Sequence, residues 1–176
     1  MPVNLELKLR VESHTKLKQL LSEIKAERKG ILNQEDIYYK VKDGILKLRT
    51  ENGNETLIFY RREEKKSNRW SDYYLLKFNN GEGKNFFNRI FESEVIVKKK
   101  RELFYYDNTR IHLDTVEQLG KFLELETLVI NGKADAKKRF TKIIKLLELD
   151  NSKEIRRSYR DLLIELKGIN DFNQRR

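Results

Sequence analysis

The sequence opens with Val3-Asn-Leu-Glu-Leu-Lys-Leu-Arg-Val-Glu12, in which apolar and polar side chains alternate without a break. Successive side chains of a β-strand point to opposite faces, so this stretch predicts a strand with one apolar face and one charged face. The charged face carries Glu6, Lys8 and Arg10. The fold therefore depends on whether that face meets solvent or the inside of the molecule.

Strand patterns of the same kind fill the middle of the chain and predict a mainly antiparallel sheet. The predicted strands cover residues 36–42, 45–51, 56–62, 70–78, 95–106, 110–114 and 122–130, with a charged loop at 63–69. Asp43-Gly44 and Asn52-Gly53 are pairs favoured in tight hairpin turns. Helical spacing follows Ser13 and recurs at 86–91, 140–147 and 155–166, with Ser152 as the predicted cap of the last helix. This grouping is typical of the α+β class.

Length and composition limit the classes of function. A chain of 176 residues predicts one domain, which we place at residues 1–169, followed by a frayed tail at 170–176. Its 38 basic and 28 acidic residues give a net charge of +10, which suits an anionic partner such as nucleic acid, a membrane surface or a polyphosphate. Without cysteine, and with only His14 and His112, any metal is expected among carboxylates, as Mg²⁺ or Mn²⁺.

No apolar run approaches the roughly 18 residues that a membrane helix needs. We therefore expect a cytoplasmic protein, monomeric or homodimeric, that does not act at a membrane.

Charged residues two positions apart recur on the polar faces of the predicted strands. There are four pairs and one set of three: Lys47 and Arg49, Tyr60 and Arg62, Lys99 and Arg101, Glu124 and Glu126, and the set Arg110, His112 and Asp114. The commoner interpretation is the solvated face of an amphipathic sheet. The alternative is a barrel with these faces turned inward, in which grouped carboxylates hold divalent cations and lysines and arginines bind a chain of phosphates.

A family resemblance favours the barrel. Asn4-Leu-Glu-Leu-Lys8 is similar to the ExExK signature of the CYTH superfamily, the triphosphate tunnel metalloenzymes, which include class IV adenylyl cyclases and thiamine triphosphatases. Further similar elements follow in the family's order over residues 4–163, and this shared order is more specific than any single motif. They are Asp36-Ile-Tyr-Tyr39, Leu46-Lys-Leu-Arg49, Tyr60-Arg-Arg62, Val97-Lys-Lys-Lys-Arg-Glu102, the acidic region ending in Glu124-Leu-Glu126, and Ser158-Tyr-Arg-Asp-Leu-Leu163.

The resemblance implies specific roles. The implied ligands of Mg²⁺ or Mn²⁺ are Glu6, Asp114, Glu124 and Glu126. The implied phosphate contacts are Lys8, Lys47, Arg49, Arg62, Lys99 and Arg101, of which Lys8, Lys99 and Arg101 are assigned to catalysis. Arg10, Lys77 and Arg110 are either further phosphate contacts or rim charges. Asn4 departs from the family pattern, because it replaces the first glutamate of the signature with an amide that has no charge.

The resemblance thus implies an antiparallel β-tunnel with a charged lumen and a metal-dependent enzyme acting on a triphosphate. Hydrolysis of an inorganic, thiamine or nucleoside triphosphate is the preferred activity, and cyclisation of ATP to cyclic AMP and pyrophosphate is the alternative. A non-catalytic polyphosphate-binding module, favoured by Asn4, is the second alternative. Nucleic acid is a less favoured partner because the charges of residues 98–101 alternate between the two strand faces.

Two further groups have open roles. His112 shares a strand face with Asp114, where it either shuttles a proton or, as we prefer, orients a carboxylate. Trp70, Tyr73 and Tyr74 either stack on a base or, more commonly, pack within the sheet.

Overall fold

The structure is a computed structural model in which residues 3–62, 70–78 and 81–174 are described, apart from the side chains of residues 62, 70–72 and 169–174. The strands are β1 (Val3–Val11), β2 (Glu27–Tyr39), β3 (Ile45–Glu51), β4 (Asn54–Arg62), β5 (Trp70–Phe78), β6 (Ser93–Tyr106), β7 (Thr109–Val116) and β8 (Gly120–Leu128). The helices are α1 (Thr15–Glu23), α2 (Glu82–Ile90), α3 (Lys133–Leu146) and α4 (Tyr159–Gln174), with a 3₁₀ turn at Asn151–Lys153.

The strands form a closed antiparallel barrel in the order β1-β5-β4-β3-β2-β6-β7-β8. The first strand joins the barrel's two ends. It pairs with β8 along nearly its whole length, from Asn4 opposite Leu128 to Val11 opposite Lys121, and within the described ranges it pairs with β5 at three positions. The predicted antiparallel barrel with peripheral helices is therefore confirmed.

Both faces of the first strand are buried, which removes the solvated-face interpretation at this strand. Leu5, Leu7 and Leu9 are 2–5% exposed on the outer face, and Leu7 and Leu9 pack into a core beneath α1 and α3. On the inner face, Lys8 is also 2% exposed. Burial of a lysine costs free energy unless the charge has partners, so the inner face must supply them.

The helices pack against the barrel in three apolar cores, two on its outer face and one, formed with α4, on the face that also lines the lumen. One apolar core joins α1 and α3 to β1, β7 and β8, a second joins α4 to β2 and β6, and a third joins α2 to β2 and β3. The outer face of β5 is less covered, since Tyr74 and Leu76 remain 58% and 56% exposed.

The second strand and its following turn differ from the sequence prediction. The strand begins at Glu27, well before residue 36, and a register shift between Arg28 and Gly30 accommodates a φ of +129° at Gly30. The strand ends at Tyr39, so a five-residue connection replaces the predicted two-residue turn at Asp43-Gly44. The turn at Asn52-Gly53 is confirmed, with φ values of +50° and +79°.

The start of the last helix also differs. The prediction used the apolar spacing from Ile155 and a cap at Ser152, whereas α4 begins at Tyr159. Ser158 and Asp161 cap it reciprocally: the Asp161 amide donates to Ser158 Oγ at 3.1 Å, and the Ser158 amide donates to the Asp161 carboxylate at 3.0 Å. The frayed tail at 170–176 stays a prediction, and the predicted loop at 63–69 lies outside the described residues.

Candidate functional site: a charged tunnel

A cavity of about 650 Å³ runs inside the barrel. It is lined by most of the residues that the sequence assigned to a site, and these come from six different strands. They are Glu6 and Lys8 of β1, Lys47 and Arg49 of β3, Lys77 of β5, Lys99 and Arg101 of β6, Arg110 of β7, and Glu124 and Glu126 of β8. The strand alternation therefore delivers these charges to a single lumen.

Two predicted phosphate contacts are not placed in this lumen. Arg10 is exposed at the barrel rim, where its guanidinium lies over the Phe122 ring and donates to the Leu119 carbonyl. The side chain of Arg62 lies outside the described residues, so its role stays a prediction.

One wall of the tunnel is built on Asp36 of β2, which the sequence had not singled out. This fully buried carboxylate accepts hydrogen bonds from Lys47 Nζ at 2.9 Å, from Lys99 Nζ at 2.7 Å and from both Nε and Nη2 of Arg49 at 2.7 and 2.9 Å. The register explains the contact, because Asp36 lies opposite Arg49 on one side and Val97 on the other. Three cations share one counterion here, which leaves this wall positive.

The electrostatics of this wall favour an anionic ligand. Burial opposes ionisation of Asp36, but the charges of Arg49, Lys47 and Lys99 outweigh it and hold the pKa of the carboxyl well below its usual range. Burial, with the neighbouring Arg49, lowers the pKa of Lys47 well below its ordinary value, although Asp36 acts against this. Further negative charge would therefore stabilise the protonated lysine.

Arg101 links this wall to the carboxylates of β7 and β8. Its Nε and Nη2 donate to Asp114 at 2.7 and 2.6 Å, and Nη2 also donates to Glu124 at 2.6 Å. Asp114 is fully buried and also accepts from the Tyr159 hydroxyl at 3.0 Å. This predicted metal ligand is thus engaged by an arginine and a tyrosine, one layer behind the cavity surface.

The start of α4 forms part of the tunnel wall. Lys8 Nζ lies 4.0 Å from the centroid of the Tyr159 ring, donates to the Arg157 carbonyl at 3.1 Å and pairs with Glu124 at 3.1 Å. Lys99 Nζ lies 5.9 Å from the same ring. Tyr159 therefore contacts Lys8 and Asp114 directly, from a position that helical spacing had placed only within the last helix.

Glu124, Glu126 and His112 form a compact group of oxygen and nitrogen donors. One ligand atom from each lies within 4.8 Å of the others. Burial opposes ionisation of Glu124, but Lys8, His112 and Arg101 together hold its pKa well below its ordinary value. Glu6 lies directly opposite Glu126 in the β1–β8 register. Two carboxylates at facing positions repel each other, which favours a bound cation.

Asn4, the departure from the family signature, is 2% exposed and also lines the cavity. Its Oδ1 has no hydrogen-bond partner among the described residues. A buried amide oxygen without a partner costs about 1–3 kcal/mol, so this atom is available to a ligand.

The aromatic residues divide by strand face. Tyr73 lines the cavity, whereas Tyr74 is exposed on the outer surface, with its ring centroid 6.4 Å from that of Phe59. The Trp70 side chain lies outside the described residues. Of the three aromatics weighed for base stacking, Tyr73 is the one that the structure places at the site.

Among the described residues, no helix is both long and apolar enough to cross a membrane.

Comparison with known proteins identifies the family. A Methanocaldococcus jannaschii protein named "Putative adenylate cyclase" is 26% identical over an alignment of 178 positions, which covers 95% of this chain and 99% of that protein. A Pyrococcus horikoshii protein of known structure has a TM-score of 0.77 and 24% identity, with 90% of this chain and 98% of that chain covered. A Hippeastrum structure, described as a "putative adenylyl cyclase" with a dominant triphosphatase activity, has a TM-score of 0.72 and 13% identity, with 94% and 96% covered. The CYTH domain family itself matches residues 3–159, and the chain therefore belongs to the CYTH domain family.

Proposed function

We propose that the protein is a divalent-metal-dependent enzyme that hydrolyses a triphosphate inside the tunnel. The observation that carries the proposal is the meeting, in one cavity, of a positive wall around Asp36 and a carboxylate group on β1 and β8. A triphosphate needs the first to bind its oxygens, and a divalent ion needs the second. Family membership supports an enzyme of this kind.

The donor set fits a divalent metal ion. Glu124 and Glu126 offer carboxylate oxygens, Glu6 faces Glu126 across the β1–β8 pair, and the amide oxygen of Asn4 lies on the same strand face as Glu6 without a partner. These residues would hold the ion. When bound, a divalent cation neutralises phosphate oxygens and acidifies a bound water.

The chain's own side chains position and neutralise the substrate. Lys47, Arg49 and Lys99 present two lysine ammonium groups and a planar guanidinium to the lumen, held by one buried carboxylate. Phosphoryl transfer needs in-line positioning and charge neutralisation more than covalent help from the protein, and a prearranged set of cations supplies both. Asp36 fixes these cations before the substrate arrives.

Lys8 and Arg101 connect the two halves of the site. In the structure each pairs with Glu124, at 3.1 and 2.6 Å. A triphosphate would compete for these cations while a metal ion competes for the carboxylate, so each ligand releases a partner for the other. Binding of metal and of triphosphate should therefore be mutually reinforcing.

Hydrolysis is preferred to cyclisation because it requires only a positioned triphosphate and a water molecule. Cyclisation also requires a nucleoside held so that its 3′-hydroxyl is in line with the α-phosphorus. The name of the Methanocaldococcus relative supports a cyclase, and the description of the Hippeastrum protein supports a triphosphatase. Both activities would use the same charged tunnel.

A direct test is to incubate the protein with tripolyphosphate, thiamine triphosphate or ATP, with Mg²⁺ or Mn²⁺, while phosphate, pyrophosphate and cyclic AMP are measured. Metal-dependent release of phosphate supports the hydrolase. Formation of cyclic AMP with equimolar pyrophosphate would show that the protein is a cyclase instead. Tight binding of tripolyphosphate without turnover would show that it is a binding module.

A further inference from the structure

His112 of β7 lies buried beside Glu124 and Glu126, two of the carboxylates that line the tunnel. Its side chain is 4% exposed, and its Nδ1 lies 3.8 Å from Glu124 Oε2 and 3.8 Å from Glu126 Oε1. A hydrogen bond between nitrogen and oxygen spans about 2.7–3.2 Å, so the imidazole is not bonded to either carboxylate. At 3.8 Å it is still within ion-pair distance of both carboxylates, so its two predicted roles stay predictions.

The Nδ1 atom is a buried donor atom aimed into the acidic group without a partner. Among the described residues it has no hydrogen-bond partner, although it is fully shielded from solvent. Its position follows from the register, in which His112 lies opposite Glu124 on β8 and the adjacent Arg110 lies opposite Glu126. A nitrogen equidistant from two carboxylate oxygens has the geometry of a ligand that shares an ion with them.

The distances suit a small divalent ion. Bonds from such an ion to imidazole nitrogen or carboxylate oxygen are about 2.0–2.2 Å, which places neighbouring ligand atoms about 3–3.5 Å apart. The two separations of 3.8 Å need to shorten by only a few tenths of an ångström, and rotation of the glutamate side chains supplies that movement.

We propose that His112 Nδ1 is a direct ligand of the ion held by Glu124 and Glu126, and that it gives the tunnel a preference for Mn²⁺ or Co²⁺ over Mg²⁺. The inference rests on the metal-binding part of the proposed function and changes the expected chemistry of that site. A set of oxygens alone suits Mg²⁺, whereas an imidazole nitrogen favours first-row transition ions.

The test uses the metal alone. Electron spin echo measurements on the protein loaded with Mn²⁺ detect the ¹⁴N nucleus of a coordinated imidazole, and His112→Gln should remove the signal while Mn²⁺ still binds. His14→Gln is the matched control, because the chain has only these two histidines and His14 Nε2 bonds the Phe122 carbonyl instead of facing the acidic group. Its signal should equal that of the wild type.

Calorimetric titration measures the preference of the site among divalent metal ions. The dissociation constant for Co²⁺ should rise about 10- to 100-fold in His112→Gln, as for loss of an ordering contact at a metal site, whereas that for Mg²⁺ should change less than about threefold. Mn²⁺ binding without ¹⁴N coupling in the wild type overturns the inference even if the variant does not fold. Coupling without any triphosphate turnover would instead refute the proposed activity and leave His112 as a ligand.

Discussion

The two charged walls of the tunnel differ in the hydrogen-bond partners of their buried polar and charged groups. Around Asp36, each of the three cations has a direct bond to the same carboxylate. On the opposite wall, His112 Nδ1, Arg110 Nε and Asn4 Oδ1 are buried without hydrogen-bond partners in the described chain. The cations of the first wall are thus paired before any ligand binds, whereas the second keeps two buried atoms, His112 Nδ1 and Asn4 Oδ1, that a bound cation can satisfy. The difference indicates an anion site prepared in advance beside an unfinished cation site.

The largest effect is expected from substitutions in the wall that carries Glu124 and Glu126. Changing both Glu124 and Glu126 to Gln should lower metal-dependent turnover at least about 100-fold, a loss comparable with removal of a charge-stabilising group from an active site. The fold should persist, because Arg101 keeps Asp114 as its partner. Turnover is measured by phosphate release, with circular dichroism to check folding.

Glu12 and Glu23 are exposed glutamates outside the lumen, and the paired change to Gln at those positions is the control. Undiminished activity in the Glu124 and Glu126 variant would remove the metal assignment from this wall.

The next largest effect is expected on stability, from a substitution in the wall around Asp36. Asp36→Asn removes the shared counterion of three buried cations and should lower the free energy of unfolding by about 3–5 kcal/mol. Tripolyphosphate should restore part of that loss, since it supplies the missing negative charge and binds only the folded state. Chemical denaturation with and without the ligand measures both changes.

Asp43→Asn provides the comparison, because Asp43 pairs with Arg61 at the surface and its loss should cost less than about 1 kcal/mol. Equal destabilisation by the two changes would mean that Asp36 has no special role.

Lys99 and Arg101 lie two residues apart on β6, but Lys99 bonds Asp36 in one wall and Arg101 bonds Asp114 in the other. Substitutions of these two residues therefore compare the two walls. Replacing either by Met should weaken tripolyphosphate binding by about 1–3 kcal/mol, as for loss of a charge-assisted hydrogen bond. Their effects on stability should differ, because Asp36 retains two cations without Lys99, whereas Asp114 keeps the Tyr159 hydroxyl but loses its arginine without Arg101. Arg101→Met should therefore be the less stable variant, and thermal unfolding with calorimetry decides the matter.

A smaller effect is expected from pH. Because burial and Arg49 lower the pKa of Lys47, this residue loses its proton in the folded protein below the ordinary value of 10.5. Between the two pKa values the unfolded chain binds more protons, so the contribution of Lys47 to stability improves as pH rises while tripolyphosphate binding weakens. The pH dependence of the dissociation constant should be steeper in the wild type than in Lys47→Met, and identical slopes would contradict this.

The smallest expected change is at Asn4. If the missing carboxylate limits metal occupancy, Asn4→Glu should lower the Mn²⁺ concentration for half-maximal activity a fewfold and reduce the stability of the metal-free protein through repulsion with Glu6. Asn4→Ala, which removes the amide oxygen, is the matched variant and should shift the metal requirement in the opposite direction. A weaker metal response with Glu would refute the limiting-ligand idea.

Much of the lumen was predictable because strand alternation has a fixed period. Lys47 and Arg49, or Glu124 and Glu126, had to share a face once their segments were strands. Alternation could not say whether that face met solvent, since both faces of a barrel strand under helices are buried. The sequence favoured the barrel over the solvated sheet only because its motifs follow the order of the CYTH family.

The remaining features depend on contacts between distant segments. Asp36 drew no attention as a charge, because its cations lie 11, 13 and 63 residues away and only strand register brings them together. Its signal was a carboxylate within a strand, a place where aspartate is uncommon. Spacing placed Tyr159 only within a predicted helix over residues 155–166, and the same apolar pattern misplaced the start of that helix, which puts the Tyr159 hydroxyl on Asp114.

The seam between the first and last strands has a consequence for how the protein folds. Lys8 and Glu124 meet across 116 residues of chain, so this ion pair forms only when the barrel closes. Contacts at such separation are slow to form, since a long loop must close before they contribute. The hairpin of β7 and β8 can bring His112 beside Glu124 by local pairing, whereas Glu6 and Lys8 arrive with the first strand. Catalytic competence should therefore be among the last properties to return on refolding, after most of the secondary structure has formed.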